Sequence, residues 1–114
     1  MSAKAWQERI DDILGAIAEI EVFLKGISRD QFMADPKTQK AVAADLTIVG
    51  EAARHVPDSV AQNYPEIPWL LIHGMRNHIV HGYYQVDPTI VWETCQNDLK
   101  TRVEPLQKMK QENP

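Results

Sequence analysis

From Trp6 onward the large apolar residues recur in steps of three and four, at Ile10, Ile13, Leu14, Ile17, Ile20 and Leu24. That spacing admits little other than a helix buried along one stripe, with Glu8, Asp11, Asp12 and Glu19 left to solvent. The helix is expected to stop near Gly26. Ser28 with Gln31 three residues later has the form of a capping box opening a short helix that carries Phe32 and Met33. Asp35-Pro36 is a second start signal, an N-cap followed by proline at the first helical position. The helix it opens carries Val42, Leu46, Val49 and Ala53 and ends before Pro57. Asp58 or Ser59 is expected to cap a brief helical turn, and Tyr64, Pro65 and Pro68 to form an irregular joint. A fourth main helix is predicted from about Pro68 to His81, with Trp69, Ile72, Met75 and Ile79 buried and Gly82 stopping it. Asp87-Pro88 repeats the cap-plus-proline signal, and the last helix carries Val91, Trp92, Cys95, Leu99, Val103 and Leu106. Pro105 predicts a kink or a change of hydrogen bonding late in that helix.

No useful period-two alternation and no internal repeat interrupts this pattern, so the expected fold is all-α, an antiparallel bundle of about five helices. With 114 residues there is enough chain for one core and too little for two ordinary domains, so a single domain spanning 1–114 is expected. The formal net charge of -4 gives no general attraction to nucleic acid, so any RNA contact must come from a local cationic patch. With one cysteine, Cys95, no disulfide forms within the chain. Met1 to Gln7 lacks an export signal, and no apolar run approaches the roughly 18 residues of a membrane span, so a cytoplasmic, membrane-free protein is expected.

Chemistry concentrates between Met75 and Tyr84, where Arg76, Asn77, His78 and His81 crowd the end of one predicted helix. At about 100° per residue, His73, Asn77 and His81 would form one row flanked by Arg76, with Arg76 and His81 about 140° apart and straddling Asn77. Such a group suits a phosphodiester. Arginine presents a fixed cationic fork to phosphate oxygens and to the charge that builds in a pentacoordinate transition state. Histidine moves protons near neutrality. RNA carries its own nucleophile, the 2′-hydroxyl, beside the phosphorus, so no metal is required, and the expected product ends are a cyclic phosphate and a free 5′-hydroxyl.

Local physics offers a second account of equal weight, in which Arg76 and His81 simply complement a helix C-terminus. His55 and His73 read as surface or boundary residues, and His78 as packed or solvated. His78 and His81 have metal-compatible spacing, but no nearby cysteine or carboxylate completes a tetrahedral set, so neither a metal nor a cofactor is expected. Cys95 reads as core, Trp69 and Trp92 as core anchors, and Tyr83 and Tyr84 as exposed residues that bind a partner or cover the bundle end.

Arg76 to Tyr83, R-N-H-I-V-H-G-Y, resembles the R-x4-H-x-Y motif of HepT-like HEPN ribonucleases. Pro68-Trp69, Gly74 to Asn77, His81 to Tyr84 and Val86 to Pro88 resemble its typical context, and the likeness extends over roughly residues 3 to 110. The resemblance implies a HEPN-type bundle and a metal-independent RNase, the toxin of a type VII toxin-antitoxin pair, with transfer RNA the expected substrate class. It implies Arg76 and His81 as the catalytic pair, Asn77 as a supporting polar residue, and a homodimer whose motif helices face one another across a cleft. Two copies of Arg76 near one phosphate would offset the acidic whole. It also implies a partner, an MntA-like nucleotidyltransferase antitoxin that transfers AMP to Tyr83, placing a repelling anion beside the cleft. The alternative is a non-catalytic helical adaptor that binds RNA or nucleotide for a nucleotidyltransferase. It needs Arg76 but no proton transfer by His81.

Overall fold

The computed structural model describes residues 5–81 and 85–114, with side chains described outside 75–86. Its elements are α1 (Trp6–Leu24), α2 (Arg29–Met33), α3 (Pro36–Ala53), α4 (Asp58–Ala61), α5 (Trp69–Ile79), β1 (Val80–His81), β2 (Gln85–Val86), α6 (Pro88–Glu93), a π-helical segment (Thr94–Leu99) and α7 (Val103–Glu112). The all-α expectation holds, and helix α3 is the central rod, with α1 packed on one side and α5 on another. Helix α7 runs back along α1, where Lys110 Nζ meets Asp11 Oδ1 at 2.6 Å.

The start signals work as the sequence implies. Gly26 adopts φ 74° after α1, a left-handed turn that glycine takes without strain. Ser28 Oγ accepts from the Gln31 N–H at 3.1 Å and Gln31 Oε1 accepts from the Ser28 N–H at 2.9 Å, a complete capping box. Asp35 Oδ1 accepts from the Thr38 N–H at 3.1 Å. The Thr38 side-chain and backbone hydrogen bonds hold the Asp35 carboxyl below its usual 3.8. Asp87 Oδ1 accepts from the N–H groups of Thr89 and Ile90 at 3.0 and 3.3 Å. The brief helix α4 differs in detail. Its N-cap is Pro57, with no side-chain cap bond, and Asp58 is its first residue.

The stripes read from spacing converge on one core. Ile10, Ile13, Val42, Leu46, Val49, Phe32, Ile72, Val91, Leu106 and Met109 are each at most 1% exposed. Burying each Ile, Leu, Val or Phe contributes roughly 1.5–3 kcal/mol. Trp92 packs its ring against Phe32, centroids 5.4 Å apart. Tyr64 in the α4–α5 joint donates its hydroxyl to Glu112 Oε1 at 2.9 Å and accepts from Asn113 Nδ2 at 2.8 Å, which fastens the end of α7 to that joint.

Two predicted boundaries are corrected. The fourth main helix stops at Ile79, and Val80–His81 pairs antiparallel with Gln85–Val86, Val80 opposite Val86 and His81 opposite Gln85. The β-branched Val80 and Val86, which stand opposite one another, favour this pleated arrangement over another helical turn. The last helix is divided rather than continuous. Proline cannot donate an amide proton, and its ring collides with the carbonyl four residues earlier, here Thr101, so a helix cannot run through that residue. The chain loosens to π-helical bonding over Thr94–Leu99, closes with the Arg102 N–H on the Leu99 carbonyl at 3.0 Å, and restarts at Val103. Pro105 then falls in the first turn of α7, where its missing N–H has no intrahelical partner to lose. Among the described residues, no helix is long and apolar enough to cross a membrane.

Candidate active site

Helix α5 is held by its first half. The Trp69 indole N–H donates to the Ala61 and Tyr64 carbonyls at 3.1 and 3.2 Å, which locks the helix entry to the preceding joint. Ile72 is buried at 1% exposure, and His73 Nε2 lies 3.2 Å from the Ala53 carbonyl at the end of α3. This partly buried histidine is therefore a boundary residue linking two helices, and His55 is exposed, as the sequence suggests for both. Trp69 and Trp92 both pack against the core cluster.

Arg76 and Asn77 occupy the last turn of α5, while His81 lies past its end, on β1. The single helical row of His73, Asn77 and His81, and the angle of about 140° between Arg76 and His81, therefore do not apply. The backbone positions of Arg76 and Asn77 and that of His81 belong to two elements rather than one. The antiparallel partner Gln85 fixes the backbone at His81. The side chains of Arg76, Asn77, His78 and His81 lie outside the described residues, as does Tyr83 entirely.

The competing reading of Cys95 is settled by burial. Cys95 is 3% exposed, and burial pushes its thiol up to about 12, so it is a core residue and no nucleophile near neutrality. It borders a cavity of about 210 Å³ between α1 and the π-helical segment, lined by Ile17, Ile20, Leu24 and Leu99 with Lys25 and Lys100 also on its wall. Among the described residues, no three His, Cys, Asp or Glu side chains gather as a metal site.

One ionisable residue escapes the sequence reading. Asp45 is only 4% exposed, on the face of α3 turned to α1. Burial raises its pKa to about 6, helped by a hydrogen bond and the negative charge of Glu19. Its signal was present: it falls three residues after Val42 and four before Val49, on the apolar stripe itself.

The chain matches the family described as ribonuclease HepT-like over residues 13–109. It is 37% identical over 108 residues to a probable ribonuclease HepT of Thermococcus cleftensis, covering 92% of this chain and 98% of that relative. A putative RNase of Methanocaldococcus jannaschii is 30% identical over 98 residues, covering 86% of this chain and 81% of its own length. A putative RNase of Caldanaerobacter subterraneus subsp. tengcongensis is 36% identical over 76 residues, covering 67% and 68%. No solved structure matches the chain significantly.

Proposed function

The chain belongs to the HepT-like ribonuclease family, and on that premise we propose that it is a metal-independent endoribonuclease acting through Arg76, Asn77 and His81. The observation carrying this reading is the extent of the family match, which runs through the whole Arg76 to Tyr83 motif. The backbone is compatible with it: the arginine and asparagine end a helix anchored to the core, and the histidine follows on a paired strand.

In the proposed reaction the 2′-oxygen attacks phosphorus as its proton leaves, the P–O5′ bond breaks, and the departing 5′-oxygen takes up a proton. The products are a 2′,3′-cyclic phosphate and a 5′-hydroxyl. His81 serves as a proton carrier in this displacement, a role worth typically 10²–10⁴-fold. Arg76 offsets the charge on the non-bridging oxygens, and Asn77 holds the site's geometry. Two subunits pair so that their motif segments share one cleft, which doubles the local positive charge in a protein of net charge -4. The reading extends to a type VII toxin acting in the cytoplasm as a single domain, with tRNA as substrate and an MntA-like nucleotidyltransferase as antitoxin. AMP on Tyr83 would add a bulky anion beside the cleft and repel the incoming phosphate.

Purified protein incubated with tRNA in excess EDTA tests the reading. Wild type is expected to cut, leaving cyclic-phosphate ends, with Arg76→Ala and His81→Ala each slowed at least about 10²-fold. Undiminished cleavage by both variants rejects the site, and no cleavage by unmodified wild type favours the RNA-binding adaptor instead. Intact mass after treatment with the cognate nucleotidyltransferase and ATP reads the switch. A gain of one AMP that persists in Tyr83→Phe removes Tyr83 from it.

A further inference from the structure

Gly15 stands in the middle of α1, where glycine is among the least favourable residues, and no close packing accounts for it. A Cβ placed there meets nothing within 4 Å. The glycine opens onto a recess between α1 and α3, lined by Asp11, Asp12, Gly15 and Glu19 from one helix and by Asp45 and Ile48 from the other. Asp45 is nine-tenths buried there, and its Oδ2 meets no hydrogen-bond donor. Its polar neighbour, Glu19, is a second carboxyl group within hydrogen-bonding reach. Among the described residues, the ionisable groups lining the recess are all acids, and Asp11 already faces Lys110. Ile48 on its wall is exposed, 47% accessible.

A buried carboxylate without donors is unfavourable, and two together repel. Water would hydrate Oδ2 but leave the like charges facing one another. We propose that this recess is a binding site for the cationic end of an alkyl chain, an ammonium or guanidinium group seated between Asp45 and Glu19 with its methylenes lying over Gly15 beside Ile48. A bare metal ion is a poorer occupant, since no three ligating side chains converge among the described residues. A second copy docked by this face about a two-fold axis is also poorer, because it would set acid against acid. Two sources offer the required chemistry: a free polyamine, or a lysine or arginine side chain of a partner polypeptide.

The test uses the intact protein at pH 8, titrated with n-butylammonium and with spermidine at ionic strength held constant by tetramethylammonium chloride. Tm and the amide NMR shifts of Gly15, Glu19 and Asp45 are followed. At about ten times the dissociation constant, Tm should rise by about 5 °C. Both the rise and the shifts should vanish in Asp45→Asn and in Gly15→Leu, whose side chain fills the recess, with circular dichroism confirming that each variant folds. A response to both cations identifies a single cationic end as sufficient, the chemistry of a partner's side chain. A response to spermidine alone identifies the free polyamine, and either result supports the site. The proposal is overturned if neither cation outperforms tetramethylammonium on wild type, or if the response survives in Asp45→Asn.

Discussion

A carboxyl group at 4% exposure beside Glu19 makes the stability of this protein depend on protons. Burial is the first cause of the rise from 3.8 to about 6, so the native state holds a proton on Asp45 that the unfolded chain has released. Asp45 therefore contributes stability that is fully present below pH 3.8 and is lost as pH rises through 6. Asp45→Asn should remove that dependence. Urea unfolding from pH 4 to pH 8 is expected to show wild type weakening relative to the variant across this window, with the variant the more stable at pH 8. Parallel curves for the two proteins would contradict the shift. Asp45 also marks the limit of reading single residues from sequence. Its place on the stripe predicts burial, but that its neighbour would be Glu19 depends on how α1 and α3 pack, which local spacing does not specify. Cys95, Trp69 and Trp92 were legible as core because size and polarity alone decide their fate. Arg76, Asn77 and His81 are grouped by motif and residue type alone, and their backbone arrangement was not legible, because the helix assumed to carry all three ends before the histidine.

At the scale of elements, caps were the most legible feature because they are settled within four residues. Ser28 with Gln31, Asp35 with Pro36, and Asp87 with Pro88 each fold as their spacing dictates. The two-residue strands were not legible. A ladder that short leaves no periodicity, and its partners are chosen across a connection rather than along a face. The division of the last helix was half legible: Pro105 announces an altered hydrogen-bond pattern, but its effect is absorbed upstream, over Thr94–Leu99 and the turn after it. Asp87 has particular weight among the caps, since it starts α6 directly after β2 and so sets how the hairpin joins the bundle. Asp87→Ala should lower stability by about 1 kcal/mol in denaturant unfolding, whereas Asp87→Asn, which keeps a capping oxygen, should stay within a few tenths of that unit of wild type. Equal losses from both substitutions would assign the effect to charge rather than to the cap bond.

For the whole molecule the question is how a chain of net charge -4 engages a polyanion. Its length of 41 Å spans several Debye lengths at physiological salt, about 8 Å each, so acids on distant parts of the surface are screened from a phosphate held at the proposed cleft. Binding of RNA at the proposed cleft then reflects local cations alone. If that cleft holds two to four phosphates of a single strand, the logarithm of affinity should fall with the logarithm of salt concentration with a slope of about -1.4 to -2.8. Near 0.01 M salt the screening length grows to about 30 Å, comparable with the protein itself, and the acidic remainder begins to repel the strand. The plot should therefore flatten at low salt, where a uniformly basic RNA-binding protein would continue to gain affinity. Fluorescence anisotropy with a labelled oligonucleotide and the His81→Ala variant, which binds without cutting in the proposed mechanism, measures both regimes. A constant slope steeper than about -5 through the whole range would require seven or more phosphate contacts. A motif offering one arginine and two histidines per subunit does not supply that many, so such a slope would place RNA on a different surface.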